Sequence, residues 1–241
     1  DSASCRRKYF NIQISQINKI YLANLNNYNL VLRQRNEFLK IININKESDM
    51  NYLDILNDKY IGLSIVIYNF RRKYVDLVNK YIDDIFSSIT GLEGLKMIYT
   101  SNVSNLDNDM FKDKLKSNLS REIQYKITFI GPNRDDFYFD LNGKNLSLYG
   151  SNGQIRSAVL ALKLAEVKLF TDVLSDTPIL LLDDIFSELD IDKRNKVIKY
   201  LDNDIQTIVT TTDIENIDKN VRNKANVYKI ENGKIISREI I

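Results

Sequence analysis

The chain has 241 residues, of which 44% are hydrophobic and 27% are charged. This is enough for one large domain or two small ones with a buried core. The net charge is only +2, so the composition lacks the overall basic field of a dedicated nucleic-acid binder. One cysteine excludes an internal disulfide and fits a reducing, cytoplasmic compartment, while the lack of histidine excludes histidine metal sites and histidine bases. No run approaches the roughly 18 apolar residues that a membrane span requires.

The first half of the chain is predicted to be helical. Apolar residues recur at a period close to 3.6 over residues 9–45 without a glycine or proline, which predicts one long helix. A second helix is expected over 50–89, and the two would form a hairpin packed on itself. Residues 95–100 fit a short strand, and 105–121 fit a polar surface helix.

From residue 125 onwards, strands and turns alternate with helices. Such alternation predicts a largely parallel, buried sheet, and the fold class is therefore α/β with a helical subdomain. The predicted boundaries are a helical arm over residues 1–124 and an α/β part over 125–241. The elements expected in the second part are strands at 125–130, 137–141 and 146–148, a turn at Asn142-Gly143, a helix at 153–175, a strand at 178–183, a helix at 191–203, a strand at 207–211 and a hairpin turning at Asn232-Gly233.

Two adjacent carboxylates follow the apolar run Ile179–Leu182. Four consecutive apolar residues suit a central strand, and ligands of open α/β sheets bind at the carboxyl ends of such strands. Asp183 could hold Mg²⁺ there, and Asp184 could orient or deprotonate an attacking water. The alternative is an aspartate pair that caps the next helix.

The segment Ser151-Asn152-Gly153-Gln154 precedes the helix predicted at 153–175. A glycine turn at a helix N-terminus presents unpaired N–H groups, which suit a phosphate oxygen. A plain N-cap turn is the alternative, because this segment by itself is a weak signal. A more specific compound pattern arises from its order and spacing relative to the Asp183-Asp184 strand, the segment Ser187-Glu188-Leu189-Asp190 and a strand ending in Thr210-Thr211-Thr212-Asp213.

That compound pattern resembles the ABC-type ATPase heads of the SMC and Rad50 class, and in finer detail it resembles the bacterial RecF family. The resemblance covers almost the whole chain. It is carried by the segments Arg6-Arg7-Lys8-Tyr9-Phe10, Leu32-Arg33-Gln34-Arg35-Asn36, Gly131-Pro132-Asn133-Arg134-Asp135-Asp136, Ser151 to Gln154, Ala161-Leu162-Lys163-Leu164-Ala165-Glu166, Pro178 to Asp184 and Ser187-Glu188-Leu189-Asp190. The fold it implies is the C-terminal lobe of an ABC-type head with an inserted helical hairpin.

The resemblance also implies site residues. The 151–154 loop corresponds to the signature loop, which touches the γ-phosphate of ATP held by the opposite subunit. Asp183 matches the Walker B aspartate that serves Mg²⁺. Asp184 stands where most relatives have a catalytic glutamate, which implies slow turnover. Ser187–Asp190 resembles the D-loop at the dimer interface, and Thr212 stands at the switch position.

One part of the family pattern is not found in these 241 residues. A phosphate loop of the form G-x-x-x-x-G-K-[ST] is absent, because only Gly143 and Gly233 precede a lysine and neither lysine is followed by Ser or Thr. The chain is therefore expected to be the C-terminal portion of a RecF-like protein. ATP and Mg²⁺ would be cofactors of the full-length protein, and this chain alone is expected to be inactive.

The resemblance further implies an ATP-dependent homodimer that binds DNA near single-strand gaps and helps to load a recombinase with RecR and RecO. Candidate contacts to DNA phosphates are the basic residues Arg6, Arg7, Lys8, Arg33, Arg35, Arg71, Arg72 and Lys73. A solvated charged face is the alternative for these residues. For residues 133–136 we expect a structural turn with an arginine–aspartate pair.

Two other functions remain open. The chain could be a docking module for DNA or a protein partner, without an enzymatic role. It could also belong to another branch of the SMC and Rad50 class, but the helical arm is far shorter than the coiled coils of those proteins.

Overall fold

The computed structural model describes residues 2–174, 177–183, 193–194, 196–197, 205–212, 214, 222–223 and 225–239. Contacts within the chain divide it into two units that alternate along the sequence, Asp1–Lys80 with Leu95–Gly150 and Tyr81–Gly94 with Ser151–Ile241. The boundary predicted between residues 124 and 125 stays a prediction. Of the helices in these ranges, none combines the length and the apolar character needed to cross a membrane.

The first unit begins with two helices, α1 (Ala3–Ile17) and α2 (Lys19–Phe38), where the sequence predicts one helix over 9–45. Asn18 separates them, because its backbone is extended and its side-chain oxygen accepts a hydrogen bond from the Tyr21 N–H at 2.8 Å. An asparagine in this position caps a new helix instead of continuing the old one. The prediction of one continuous helix is therefore wrong.

The next two helices are α3 (Glu47–Val78) and α4 (Ile82–Thr90), where the sequence predicts one helix over 50–89. The chain breaks at Asn79, whose Nδ2 donates to the Met97 carbonyl at 2.9 Å and whose Oδ1 accepts from the Met97 N–H at 2.8 Å. A tertiary contact thus ends α3, and the helical period could not reveal it. Gly91 ends α4 in the left-handed conformation, as its position in the sequence predicts.

The core of the first unit is built on α2, α3 and α5 (Asn108–Tyr125). The rings of Tyr28 and Tyr60 stack with their centroids 5.5 Å apart, so α2 and α3 form the predicted helical hairpin. The prediction that residues 105–121 form a polar surface helix is wrong for one face of α5. That face buries Phe111, Leu115 and Glu122.

An antiparallel sheet completes the first unit. Strand β1 (Leu95–Thr100) pairs with β2 (Asp136–Leu141), which pairs with β3 (Lys144–Asn145) across the predicted Asn142-Gly143 turn. The strand predicted at 146–148 is wrong, because these residues lie in the short helix α6 (Leu146–Tyr149). The strand predicted at 125–130 is also wrong. Side chains of Asn36 and Glu122, not a neighbouring strand, accept the N–H groups of residues 128 and 129 at 2.9 and 2.7 Å.

The second unit contains α4 and the long helix α7 (Asn152–Leu174), which pack together. Strand β4 (Leu180–Asp183) pairs in parallel with β5 (Thr207–Thr210), in agreement with the parallel arrangement predicted from sequence. Strands β6 (Val227–Glu231) and β7 (Lys234–Glu239) form the predicted hairpin. The helix predicted over 191–203 lies largely outside the described residues.

Candidate functional sites

The 151–154 loop forms a reciprocal cap at the start of α7. Ser151 Oγ accepts a hydrogen bond from the Gln154 N–H at 3.2 Å, and Gln154 Oε1 accepts one from the Ser151 N–H at 2.9 Å. This is the capping box that serine followed three residues later by glutamine predicts. The two side chains therefore hold the loop in a fixed, exposed conformation at the N-terminus of a 23-residue helix.

The fold does not require glycine at position 153. Its φ is not positive, and an added Cβ would come no closer than 3.9 Å to a neighbouring atom, Ser151 Oγ. Gly150 differs, because a Cβ there would lie 2.6 Å from the Leu146 carbonyl oxygen. Alanine at position 153 would favour the helix by up to about 1 kcal/mol, so glycine is a cost to folding. Its absence of a side chain leaves the first amides of α7 open to an anion.

Asp183 lies at the carboxyl end of β4, opposite Thr210 on β5. The Thr210 hydroxyl donates a hydrogen bond to Asp183 Oδ1 at 2.5 Å, and the carboxylate remains exposed. The sequence predicts Thr210 at the end of a strand but does not reveal its hydrogen bond to Asp183, because that contact depends on the register between two strands that are distant along the chain. Thr212 is exposed two residues further on.

Asp184, Ser187 and Asp190 lie outside the described residues, so their predicted roles stay predictions. Within the described ranges, no group of three or more acidic or cysteine side chains converges to hold a metal ion. The exposed carboxylate of Asp183, next to the Thr210 hydroxyl, is nevertheless suited to bind Mg²⁺ together with water and phosphate oxygens.

The prediction that Arg35 contacts DNA is wrong, because its side chain is fully buried. Its Nη2 donates to Glu122 Oε2 at 2.7 Å, Nη1 donates to Thr128 Oγ1 at 2.7 Å, and Nε donates to Asn57 Oδ1 at 2.8 Å. Every face of the guanidinium is used within the protein. Arg35 therefore holds α2, α3 and α5 together.

The prediction that Arg71 contacts DNA is also wrong, because this residue is only 2% exposed. Its Nη1 donates to Asp135 Oδ2 at 2.5 Å and to the Pro132 carbonyl at 2.8 Å. Burial alone would lower the pKa of Arg71, but the adjacent Tyr21, Asp135 and Tyr99 together raise it. Burial raises the pKa of Asp135, and Arg71 opposes that shift. The pair is therefore structural, not a surface for phosphate.

The remaining predicted cations divide into paired and exposed residues. Arg6 makes a two-pronged contact with Asp136, with Nε–Oδ1 at 2.7 Å and Nη2–Oδ2 at 2.6 Å. Arg7 donates to the Asp135 carbonyl at 2.8 Å. Four candidates are exposed, namely Lys8, Arg33, Arg72 and Lys73.

The turn at residues 131–136 is the structural centre of the first unit. Residues Pro132–Arg134 form a 3-10 turn, and Asp135 and Asp136 each pair with an arginine of another helix. The expectation of a structural turn is confirmed, but the arginines that pair with Asp135 and Asp136 are Arg71 and Arg6, not Arg134 of the same segment. Asn133 completes the turn, since its N–H donates to the Tyr28 hydroxyl at 3.0 Å and its Oδ1 lies 3.0 Å from the Tyr60 hydroxyl oxygen.

Buried tyrosines at this turn make the first unit sensitive to alkali. Burial raises the pKa of Tyr28 from 10.0 to about 12. The stability that neutral Tyr28 contributes is therefore complete below pH 10 and is lost as the pH rises through 12, and the loss approaches about 3 kcal/mol. We expect Tyr28→Phe to be less stable than the wild type at pH 8 and to lose that disadvantage above about pH 11.

Urea unfolding across this pH range measures the effect of Tyr28→Phe. A gap between variant and wild type that stays constant from pH 8 to pH 12 would contradict the assignment. Tyr52→Phe, at a tyrosine that is 47% exposed, controls for the loss of a hydroxyl as such.

Comparison with known proteins gives a consistent set of relatives, although no protein-family model matches the chain. The DNA replication and repair protein RecF of Lachnospira eligens is 39% identical over 234 residues, covering 96% of this chain and 63% of the relative. The RecF protein of Lactobacillus johnsonii is 36% identical over 245 residues, covering 98% and 66%. That of Clostridium perfringens is 38% identical over 238 residues, covering 98% and 64%. The chain thus spans slightly under two thirds of these relatives.

Solved structures agree with the sequence relatives. A structure of the recombination mediator protein RecF in the RecFOR pathway, designated RecF-ATPrS, superposes with a TM-score of 0.80 at 29% identity, covering 98% of this chain and 63% of that chain. A second, designated RecF-ATP, gives a TM-score of 0.78 at 31% identity and covers 89% and 59%. The predicted mixed α/β fold is confirmed.

Proposed function

Because this chain is a homologue of RecF, a family of DNA replication and repair proteins, we propose that it is part of a nucleotide-controlled DNA-binding protein of recombinational repair. In this proposal the second unit is the C-terminal lobe of an ABC-type ATPase head, and the helices of the first unit are its inserted subdomain. RecO and RecR are the proposed partners, since the related structures belong to the RecFOR pathway. The observation that carries the proposal is the exposed, capped loop at residues 151–154.

The loop would bind the γ-phosphate of ATP held by a second subunit. Three features support this role: the rigid capping box, the open amides at the start of α7, and a glycine at position 153 that the fold does not require. A helix N-terminus favours an anion through its unpaired N–H groups and the helix dipole. ATP binding would thereby join two copies of the protein.

At the end of β4, Asp183 would serve Mg²⁺ and Thr210 would orient its carboxylate. The bound ion would neutralise charge on the phosphates, and Asp183 would be held in place for it by the Thr210 hydroxyl. Asp184 as the catalytic carboxylate, Ser187 and Asp190 as the D-loop, and Thr212 as the switch residue remain parts of this proposal.

Without a phosphate loop among its 241 residues, the chain alone is expected to show no binding of Mg-ATP by calorimetry. Binding is expected when the N-terminal third of the Lachnospira eligens relative is added as a separate polypeptide. Sedimentation should then detect an ATP-dependent dimer. Tight binding of Mg-ATP by the chain alone would contradict the proposed division of the site.

Gly153→Ala tests the loop in the same reconstituted system. We expect it to leave Mg-ATP binding unchanged and not to lower the unfolding midpoint. The ATP-dependent dimer should be weakened by about tenfold or more, since a hydrogen bond to a charged group is worth about 1.5–3 kcal/mol. Val159→Ala, on the exposed side of α7, is the matched control and should dimerise normally. A Gly153→Ala variant that dimerises as well as this control would remove the loop from the interface.

A docking module without an enzymatic role is the second candidate. It is favoured by the exposed cations of α2 and α3, Arg33, Arg72 and Lys73, which remain after Arg35 and Arg71 are excluded. The test is DNA binding by the chain without nucleotide, compared with Arg72→Ala/Lys73→Ala. Salt-sensitive binding that this double variant loses would favour docking, whereas DNA binding that appears only with ATP in the reconstituted dimer would favour the first proposal.

A further inference from the structure

Residues near the end of α5 and in the turn that follows gather two arginines around one aromatic ring. The guanidinium carbon of Arg121 lies 4.4 Å from the centroid of Phe129, and that of Arg134 lies 4.9 Å from it. Tyr125 meets the same ring edge-on, with the centroids 5.7 Å apart. We call these four residues, together with the exposed Lys126 that follows Tyr125 in the chain, the basic-aromatic patch.

The charges of the patch are not neutralised. In the described part of the chain, Arg121, Lys126 and Arg134 have no carboxylate within salt-bridge distance, and all three are exposed. Glu122 is the only acidic residue between positions 114 and 134, and it is buried against Arg35. This contrasts with the arginines of the core, each of which has an acidic partner. The patch is therefore a local concentration of positive charge.

The geometry leaves the patch ready for an anionic ligand. An arginine stacked on an aromatic ring keeps the N–H groups along its edge available, and its orientation is fixed in advance. Within the described residues, the side-chain hydrogen bond of Arg134 is made by its Nε, which donates to the Thr128 carbonyl at 3.3 Å.

An exposed aromatic ring next to these cations narrows the class of ligand. Tyr125 is 57% exposed although it packs edge-on against Phe129, so a large part of its ring is accessible to a ligand. Phosphates match the guanidinium edges, and an unpaired base matches the open face of a tyrosine ring. A duplex satisfies the first requirement but not the second, because its bases are stacked on one another.

We propose that the basic-aromatic patch is a binding site for single-stranded nucleic acid, in which Arg121 and Arg134 hold two phosphates and Tyr125 stacks on a base. The inference rests on the proposed DNA-binding function, and it places one contact on residues different from the exposed cations Arg72 and Lys73. An acidic protein segment would use the same charges but would have no need for the tyrosine ring.

The test is fluorescence anisotropy of the 241-residue chain with a labelled 15-nucleotide oligo-dT, alongside a hairpin duplex of the same charge. Arg121→Ala/Arg134→Ala should weaken oligo-dT binding by about tenfold or more and reduce the slope of log affinity against log salt by about 1.4, which is 0.7 for each phosphate. Tyr125→Ala should weaken oligo-dT binding by about tenfold and leave the duplex unaffected, whereas Tyr125→Phe should bind as the wild type does.

The controls separate this inference from the proposed function. Lys59→Ala/Lys96→Ala removes two exposed charges elsewhere on the unit and should bind oligo-dT as the wild type does, and the unfolding midpoints should agree. If the wild type binds oligo-dT and the patch variants bind equally well, the patch is overturned and DNA binding stands. If arginine loss matters but Tyr125→Ala does not, the patch is a general anion surface and the single-strand assignment is overturned. If the wild-type chain binds no oligo-dT in this assay, the patch is overturned, whereas the proposed function falls only if the ATP-dependent reconstituted dimer binds no DNA either.

Discussion

Arg35→Met is expected to destabilise the chain by about 3–5 kcal/mol, because it leaves the buried carboxylate of Glu122 without its counter-charge. The two side chains are both fully buried, with Nη2 and Oε2 2.7 Å apart. The variant also leaves the hydroxyl of Thr128 and the amide oxygen of Asn57 without their donor. Urea unfolding followed by circular dichroism measures the loss.

Two further variants separate the effect of the unpaired buried charge in Arg35→Met from the effect of losing an arginine. Arg35→Met/Glu122→Gln removes both charges while keeping an acceptor for the Phe129 N–H, so it should be more stable than Arg35→Met alone. Arg33→Met, two residues earlier on the same helix but exposed, should change stability by no more than about 0.5 kcal/mol. Equal effects at positions 33 and 35 would show that burial of Arg35 is not what stabilises the fold.

Gly131→Ala is expected to have an effect of similar size, about 3–5 kcal/mol, from backbone strain together with overpacking. The φ of Gly131 is 135°, a backbone conformation that residues with a side chain rarely adopt. An added Cβ would lie 1.9 Å from the Tyr60 hydroxyl oxygen. Relief would displace that hydroxyl from the Ile130 carbonyl, to which it donates at 2.8 Å.

Gly62→Ala is the matched control for this substitution. Gly62 lies within α3, nothing comes within 4 Å of its added Cβ, and alanine should stabilise the helix by up to about 1 kcal/mol. Tyr60→Phe in the Gly131→Ala background should recover part of the loss, since it removes the atom in closest conflict. A Gly131→Ala chain that unfolds at the wild-type urea concentration would mean that the 131–136 turn tolerates another conformation.

Local chemistry was sufficient for the elements whose ends are set by nearby residues. The Asn142-Gly143 and Asn232-Gly233 turns adopt the positive φ values that their sequences predict. The capping box at Ser151 and Gln154 is likewise contained within four residues. The breaks at Asn18 and Asn79 were missed, because the apolar period continues through a cap and a tertiary hydrogen bond leaves no local signature.

The sequence by itself determined the fold class, the loop at residues 151–154 and the position of Asp183 at the end of a strand, because each depends on a contiguous pattern. Tertiary structure alone decided which arginines are available to a ligand. Arg35 and Arg33 are chemically alike and nearly adjacent, as are Arg71 and Arg72. The carboxylates that bind Arg35 and Arg71 lie 87 and 64 residues away along the chain, so only folding brings them together. A buried charge is stable only with such a partner, and this requirement separates the structural arginines from the exposed ones.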